Sequence, residues 1–107
     1  MFAPAYLDHN ATTPLDARVL EAMLPFLTTA WHNPSSIYVE AQEARRAIDD
    51  ARATVAMHLG ARPEEIVFTS GGSEADNLAL RGVLTATRQR GRHLVISAVE
   101  HHAILDP

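Results

Sequence analysis

Residues 66–97 constrain this chain most. A β-rich apolar run, IVFT at 66–69, leads into SGGSEADN and then into a stripe of Ala75, Leu78, Ala79, Val83 and Ala86, before a second apolar run, HLVIS, at 93–97. Short apolar runs bounded by turn residues read as buried strands, and the 3.6-residue period between them reads as a helix starting near Ser73 and ending at Gly91. Strand, helix and strand within about thirty residues form a βαβ unit. Its crossover is expected to be right-handed and its two strands parallel in a covered sheet, which sets the class as α/β. Two strands leave sheet edges open, so further strands from a longer chain or a partner are implied.

The upstream half reads as helical. Asp16 is placed to cap a helix whose Val19, Leu20, Met23, Leu24 and Leu27 share one face, with Pro25 threatening its last turns. WHNPSSIY, at 31–38, reads as a turn, because Pro34 pushes Asn33 out of the helical region and the serines after it offer caps. A long helix is expected from near Ser36, with Ile37, Ala41, Ala44, Ile48, Ala51 and Val55 as its apolar stripe and Gly60 as its stop. RPEE at 62–65 reads as the turn before the first strand.

Composition narrows the chemistry. No repeat, low-complexity tract or linker divides the 107 residues, which suit one small domain or part of a larger one. The net charge of −4 comes from interspersed acids and arginines, without the basic stripe of a nucleic-acid binder or the polybasic run that a membrane surface attracts. The amino terminus has no leader pattern, and no apolar run approaches the ~18 residues that span a bilayer, so a cytoplasmic location is expected. There is no cysteine, hence no disulfide, thiolate nucleophile or sulfur ligand; all nine basic residues are arginines, so there is also no ε-amine to condense with a carbonyl.

Gly71 and Gly72 fall just past the carboxyl end of the first expected strand, where open α/β sheets place ligands and where glycine lets backbone amides approach an anion. Ser73 then stands at a helix start, whose amides and dipole favour a phosphate. Ser73-Glu74-Ala75-Asp76 equally matches a capping box, and the two roles are compatible. With no lysine for a Walker A loop and no G-x-G-x-x-G spacing, a nucleoside triphosphate is disfavoured. His101 and His102 follow the second expected strand, on the same sheet edge as the turn. A histidine there is able to move a proton or lie against an aromatic cofactor, or simply to serve at a helix start. Metal chelation is the weaker reading, since adjacent side chains point apart and no ligand spacing is present. His9, His32 and Trp31 read as structural.

Taken together, YLDHNATTPLDARVLEAMLPF, NPSS with EAR after it, and EEIVFTSGGSEADNLAL followed by VEHHAILDP resemble the amino-terminal portion of cysteine desulfurases of the NifS/IscS kind, in the class V aminotransferase group. The resemblance covers essentially the whole chain, with its motifs in order. It implies a partial fold-type I, aspartate-aminotransferase-like transferase: a parallel sheet, three-layer α/β/α when complete, with 1–15 as an amino-terminal segment and 16–107 as the start of the large cofactor domain. It implies pyridoxal 5′-phosphate as cofactor and a homodimer with active sites near the interface. L-cysteine is the implied substrate, with sulfur passed as a persulfide to an acceptor or iron-sulfur scaffold protein. On this resemblance Gly72 and Ser73 contact the cofactor phosphate, where many relatives have Ala-Thr. His101 stacks on the pyridine ring and takes part in proton transfer; His102 is left structural. The chain departs from the family at His32, where glycine is usual, and at Tyr38 and Ala41, where histidine and glycine are common. The family's cofactor lysine, its aspartate facing the pyridine nitrogen and its sulfur-carrying cysteine belong to later sequence, so the chain alone is expected to be inactive. A selenocysteine lyase, a small-molecule aminotransferase, or a non-catalytic truncated or docking protein remain alternatives.

Overall fold

The computed structural model describes residues 4–91 and 93–106. They fall into two compact units, Met1–Glu65 and Ile66–Pro107. No helix among the described residues is long and apolar enough to cross a membrane.

In the first unit, Tyr6 closes the amino-terminal turn by donating its hydroxyl to the carbonyls of Asp8 at 2.8 Å and Thr12 at 3.2 Å. Helix α1 covers Ala17–Thr28. Asp16 caps it as expected, accepting from the Arg18 amide at 2.8 Å and holding the Arg18 guanidinium through Nε at 3.0 Å and Nη2 at 2.7 Å. The Arg18 side chain, and then its amide, hold the Asp16 carboxyl below its usual range. Pro25 lies inside the helix without ending it. The amides of Thr29 and Ala30 both turn back to the Pro25 carbonyl, and the Thr28 hydroxyl takes that of Leu24, so the last turn stays satisfied. The apolar face that the period identifies is nevertheless open: Leu24 is 51% and Leu27 65% exposed.

Helix α2, Val39–Leu59, starts three positions later than the sequence suggests. The serines are spent on the preceding turn: Asn33 Oδ1 accepts from the Ser35 amide, the Ser36 amide donates to the Asn33 carbonyl, and Gln42 caps the Ser36 carbonyl. Ile37 therefore lies outside the helix and is 94% exposed. Ala41, Ala44 and Ala56, all on α2, are the buried apolar residues among those described. The helix ends at Gly60, at φ 65°, with the Gly60 amide on Met57 and the Ala61 amide on Ala56, the paired bonds of a Schellman motif. The RPEE turn is a 3₁₀ turn at Pro63–Glu65, tightened by Glu65, which accepts from the Arg62 amide at 2.8 Å and from its guanidinium at 3.1 Å.

The second unit holds α3, Gly72–Ala86, and the short α4, His102–Leu105, which packs against it. Helix α3 stops five residues before Gly91. The Thr87 hydroxyl and amide both take the Val83 carbonyl, and the Arg90 amide then turns onto Thr87. Gly91, at φ 139°, only redirects the chain.

The parallel sheet is the main departure. No strand forms among the described residues, and the segments expected to be buried strands carry open apolar side chains, with Val67 64% and Val95 81% exposed. A strand exists only through ladder bonds to neighbours, and a two-stranded pair is marginal on its own, so apolar and β-branched composition alone does not produce one.

Candidate functional site

The site builds from the head of α3. Gly71 is its N-cap, at φ 170° and ψ 179°, and its carbonyl accepts the first helical bond, from Ala75. This corrects the capping-box expectation: Ser73 is a first-turn residue and not the cap. Glu74 reaches back past the cap, accepting from the Ser70 amide at 2.6 Å and the Ser70 hydroxyl at 2.7 Å. Those bonds, the hydroxyl's first, hold the Glu74 carboxyl below its usual range. Its charge is thus engaged upstream of the Gly72 and Ser73 amides.

Among the described residues, the amides of Gly72, Ser73 and Glu74 have no intrachain acceptor, as the first turn of a helix requires. The space before them is open: a Cβ built on Gly71 or Gly72 meets nothing within 4 Å. Gly71 is in extended backbone that any residue adopts, so neither packing nor strain within the chain demands these glycines. Bare backbone there leaves room for a group approaching from outside, and three amides with the Ser73 hydroxyl at a helix N-terminus form a donor set suited to a phosphate.

His101 is the N-cap of α4, at φ −66° and ψ 150°; its Nδ1 accepts from the Ala103 amide at 3.1 Å. A nitrogen that accepts a backbone N–H carries no proton, so the neutral ring holds its proton on Nε2. His101 can donate from Nε2 as it stands, but it can take a proton on Nδ1 only by releasing Ala103. His102 spends its Nδ1 on Asp106 Oδ2, at 2.9 Å within its own turn.

Asn77 is a residue that sequence reasoning missed. One turn on from Ser73, its Nδ2 donates to the Ser73 carbonyl at 3.0 Å and, across to α4, to the Ala103 carbonyl at 3.3 Å. The available signal was asparagine inside an otherwise good helix, where its propensity is poor. Gly72, Ser73 and His101 thus stand on two helices of one unit, joined through Asn77. In the first unit, His32 is stacked on Trp31 at 4.8 Å and 17° and meets Tyr38 edge-on at 6.0 Å. Its Nδ1 is buried without a partner among the described residues.

Known proteins are similar to this chain in sequence and in fold. The family model for class-V aminotransferases matches residues 5–107. The putative cysteine desulfurase IscS 1 of Bacillus subtilis is 51% identical over 100 residues, covering 94% of this chain and 26% of the relative. The cysteine desulfurase IscS of Dictyoglomus turgidum is 51% identical over 102 residues, 95% of this chain and 26% of the relative. Among solved structures, a NifS-like protein superposes with a TM-score of 0.85 at 39% identity, over 92% of this chain and 27% of that one. SspA in complex with cysteine gives 0.85 at 42%, over 94% and 29%. The chain therefore spans about a quarter of the length of the curated relatives it matches. It belongs to the class-V aminotransferase family, and the curated relatives it matches are named cysteine desulfurases.

Proposed function

We propose that this chain is the part of a pyridoxal-phosphate-dependent cysteine desulfurase that holds the cofactor phosphate. The observation that carries this is the head of α3, where unpaired amides and the Ser73 hydroxyl face open space beside bare glycine backbone. Gly72 and Ser73 hold the phosphate, through two amides and a hydroxyl. His101 lies against the pyridine ring and lends a proton from Nε2, with Ala103 keeping its ring in place. When bound, the cofactor supplies an electron sink for charge developing on the substrate.

The names of the relatives favour cysteine desulfurase over another class V activity. The overall reaction takes sulfur from L-cysteine, leaves L-alanine and converts an enzyme thiol to a persulfide for an acceptor or iron-sulfur scaffold protein. With no lysine and no cysteine in 107 residues, both the cofactor-linking amine and the sulfur-carrying thiol must come from elsewhere in the working enzyme. Residues 66–69 and 93–97 become strands of a parallel sheet when neighbouring strands are supplied, in a three-layer α/β/α domain, and their exposed apolar side chains support that reading. A cytoplasmic homodimer is the assembly this implies, with 16–107 as the start of its large domain.

The test is to sequence the DNA beyond the codon for Pro107. An in-frame continuation with a lysine after a Ser-x-His-type stretch and a later cysteine is expected. A genuine stop codon there would overturn the catalytic reading and leave the turn as a relic or a docking surface.

A further inference from the structure

Among the described residues, most side-chain hydrogen bonds are local, but one of those made by Asn77 spans 26 positions and is partly buried. Its two amide hydrogens go to two carbonyls, that of Ser73 at 3.0 Å and that of Ala103 at 3.3 Å. Ala103 in turn donates its own amide to His101 Nδ1 at 3.1 Å. Three hydrogen bonds therefore run in series from Ser73 through Asn77 and Ala103 to the His101 ring.

We propose that Asn77 is a positioning residue that fixes His101 relative to the phosphate-holding turn, a role that rests on the function proposed above. The chemistry asks for a carboxamide. Only a group with two donor hydrogens on one atom satisfies two carbonyls in this way, and the isosteric aspartate would set a carboxylate against two carbonyl oxygens. A shift of the turn by a phosphate is felt at Ala103, and through its amide at the histidine. Asn77 touches neither cofactor nor substrate; it acts through the geometry of residues that do.

The test uses the full-length polypeptide carrying this sequence, as the parent, as Asn77→Asp and as Asn77→Ala, with circular dichroism to check folding. Two quantities are read: the dissociation constant for pyridoxal phosphate, and the ¹⁵N shifts of the His101 ring. Both variants are expected to weaken cofactor binding about tenfold, the size of one hydrogen bond, and to release His101 from a single tautomer into a mixture. Folded variants with unchanged His101 shifts overturn the proposal. Ser73→Ala is run in parallel. If it leaves cofactor binding untouched, the phosphate reading itself fails; if it weakens binding while the Asn77 variants leave both readouts alone, only the positioning role fails. Should the variants not fold, hydrogen exchange in the parent decides: a protected Asn77 carboxamide supports the tie, and one exchanging at the solvent rate overturns it.

Discussion

His101 and His102 are adjacent in sequence and put their Nδ1 atoms to opposite hydrogen-bonding uses. His101 Nδ1 accepts the Ala103 amide, leaving the proton on Nε2, whereas His102 Nδ1 donates to the Asp106 carboxylate, 2.9 Å away. The rings stand edge to face, 6.4 Å apart at 72°. Among the six histidines, ring ¹⁵N spectra are expected to show His101 protonated at Nε2 and His102 protonated at Nδ1. Asp106→Ala should return His102 to a mixture and leave the His101 signal in place.

Ser73→Ala separates binding from capping. Because Gly71 is the cap and none of the described hydrogen bonds uses the Ser73 hydroxyl, helix content by circular dichroism should not change. Affinity for pyridoxal phosphate should fall about tenfold, as for loss of one hydrogen bond to a charged group, near 1.5 kcal/mol. A loss of helicity equal to that of a cap deletion would restore Ser73 as the cap.

The head of α3 should respond to acid through Glu74. In the folded chain the Ser70 hydroxyl, and then the Ser70 amide, hold its carboxyl below the ordinary glutamate range. The stability it contributes is therefore fully present above that ordinary value and is lost as pH falls through the lower, folded one. Carboxyl ¹³C titration should place the midpoint below that of a free glutamate. Ser70→Ala removes the leading cause and should move the midpoint upward, only part of the way because the Ser70 amide remains.

Two glycines should respond oppositely to a methyl group. Gly60 closes α2 at φ 65°, so Gly60→Ala should cost about 1–2 kcal/mol for the left-handed backbone. Gly82 lies inside α3, where an added Cβ meets nothing within 4 Å, and Gly82→Ala should gain about 0.5–1 kcal/mol. Denaturant titration followed by circular dichroism reads both.

What the sequence discloses here follows the range of the interaction that decides it. The Asp16 cap, the Gly60 stop and the Arg62–Glu65 turn are settled by partners within a few residues, and each is legible. The end of α3 was misplaced at Gly91 because the Thr87 hydroxyl competes locally for a carbonyl that a propensity scale does not see. Ser73 resembles a cap because Asp76 follows it at capping-box spacing, but the helix starts earlier, with Gly71 as its cap, and the acid that reaches back is Glu74, to Ser70. The strands at 66–69 and 93–97 were illegible in another sense. Their apolar pattern is real, but a strand is completed by another segment, and pattern records only readiness for one. Gly72, Ser73 and His101 could be singled out from turn chemistry and motif order; Asn77 could not, because its second partner lies 26 positions away.

The Asn77 tie also bears on ageing. Asparagine is among the thermolabile side chains, and hydrolytic deamidation exchanges its nitrogen for an oxygen with almost no change of shape. At this position that one atom carries both bonds holding Ser73 and Ala103. Spontaneous loss of a single ammonia would leave the helices intact and the backbone uncut, yet would remove the registration between the turn and the histidine. Damage of this kind would show first in how the site is held together.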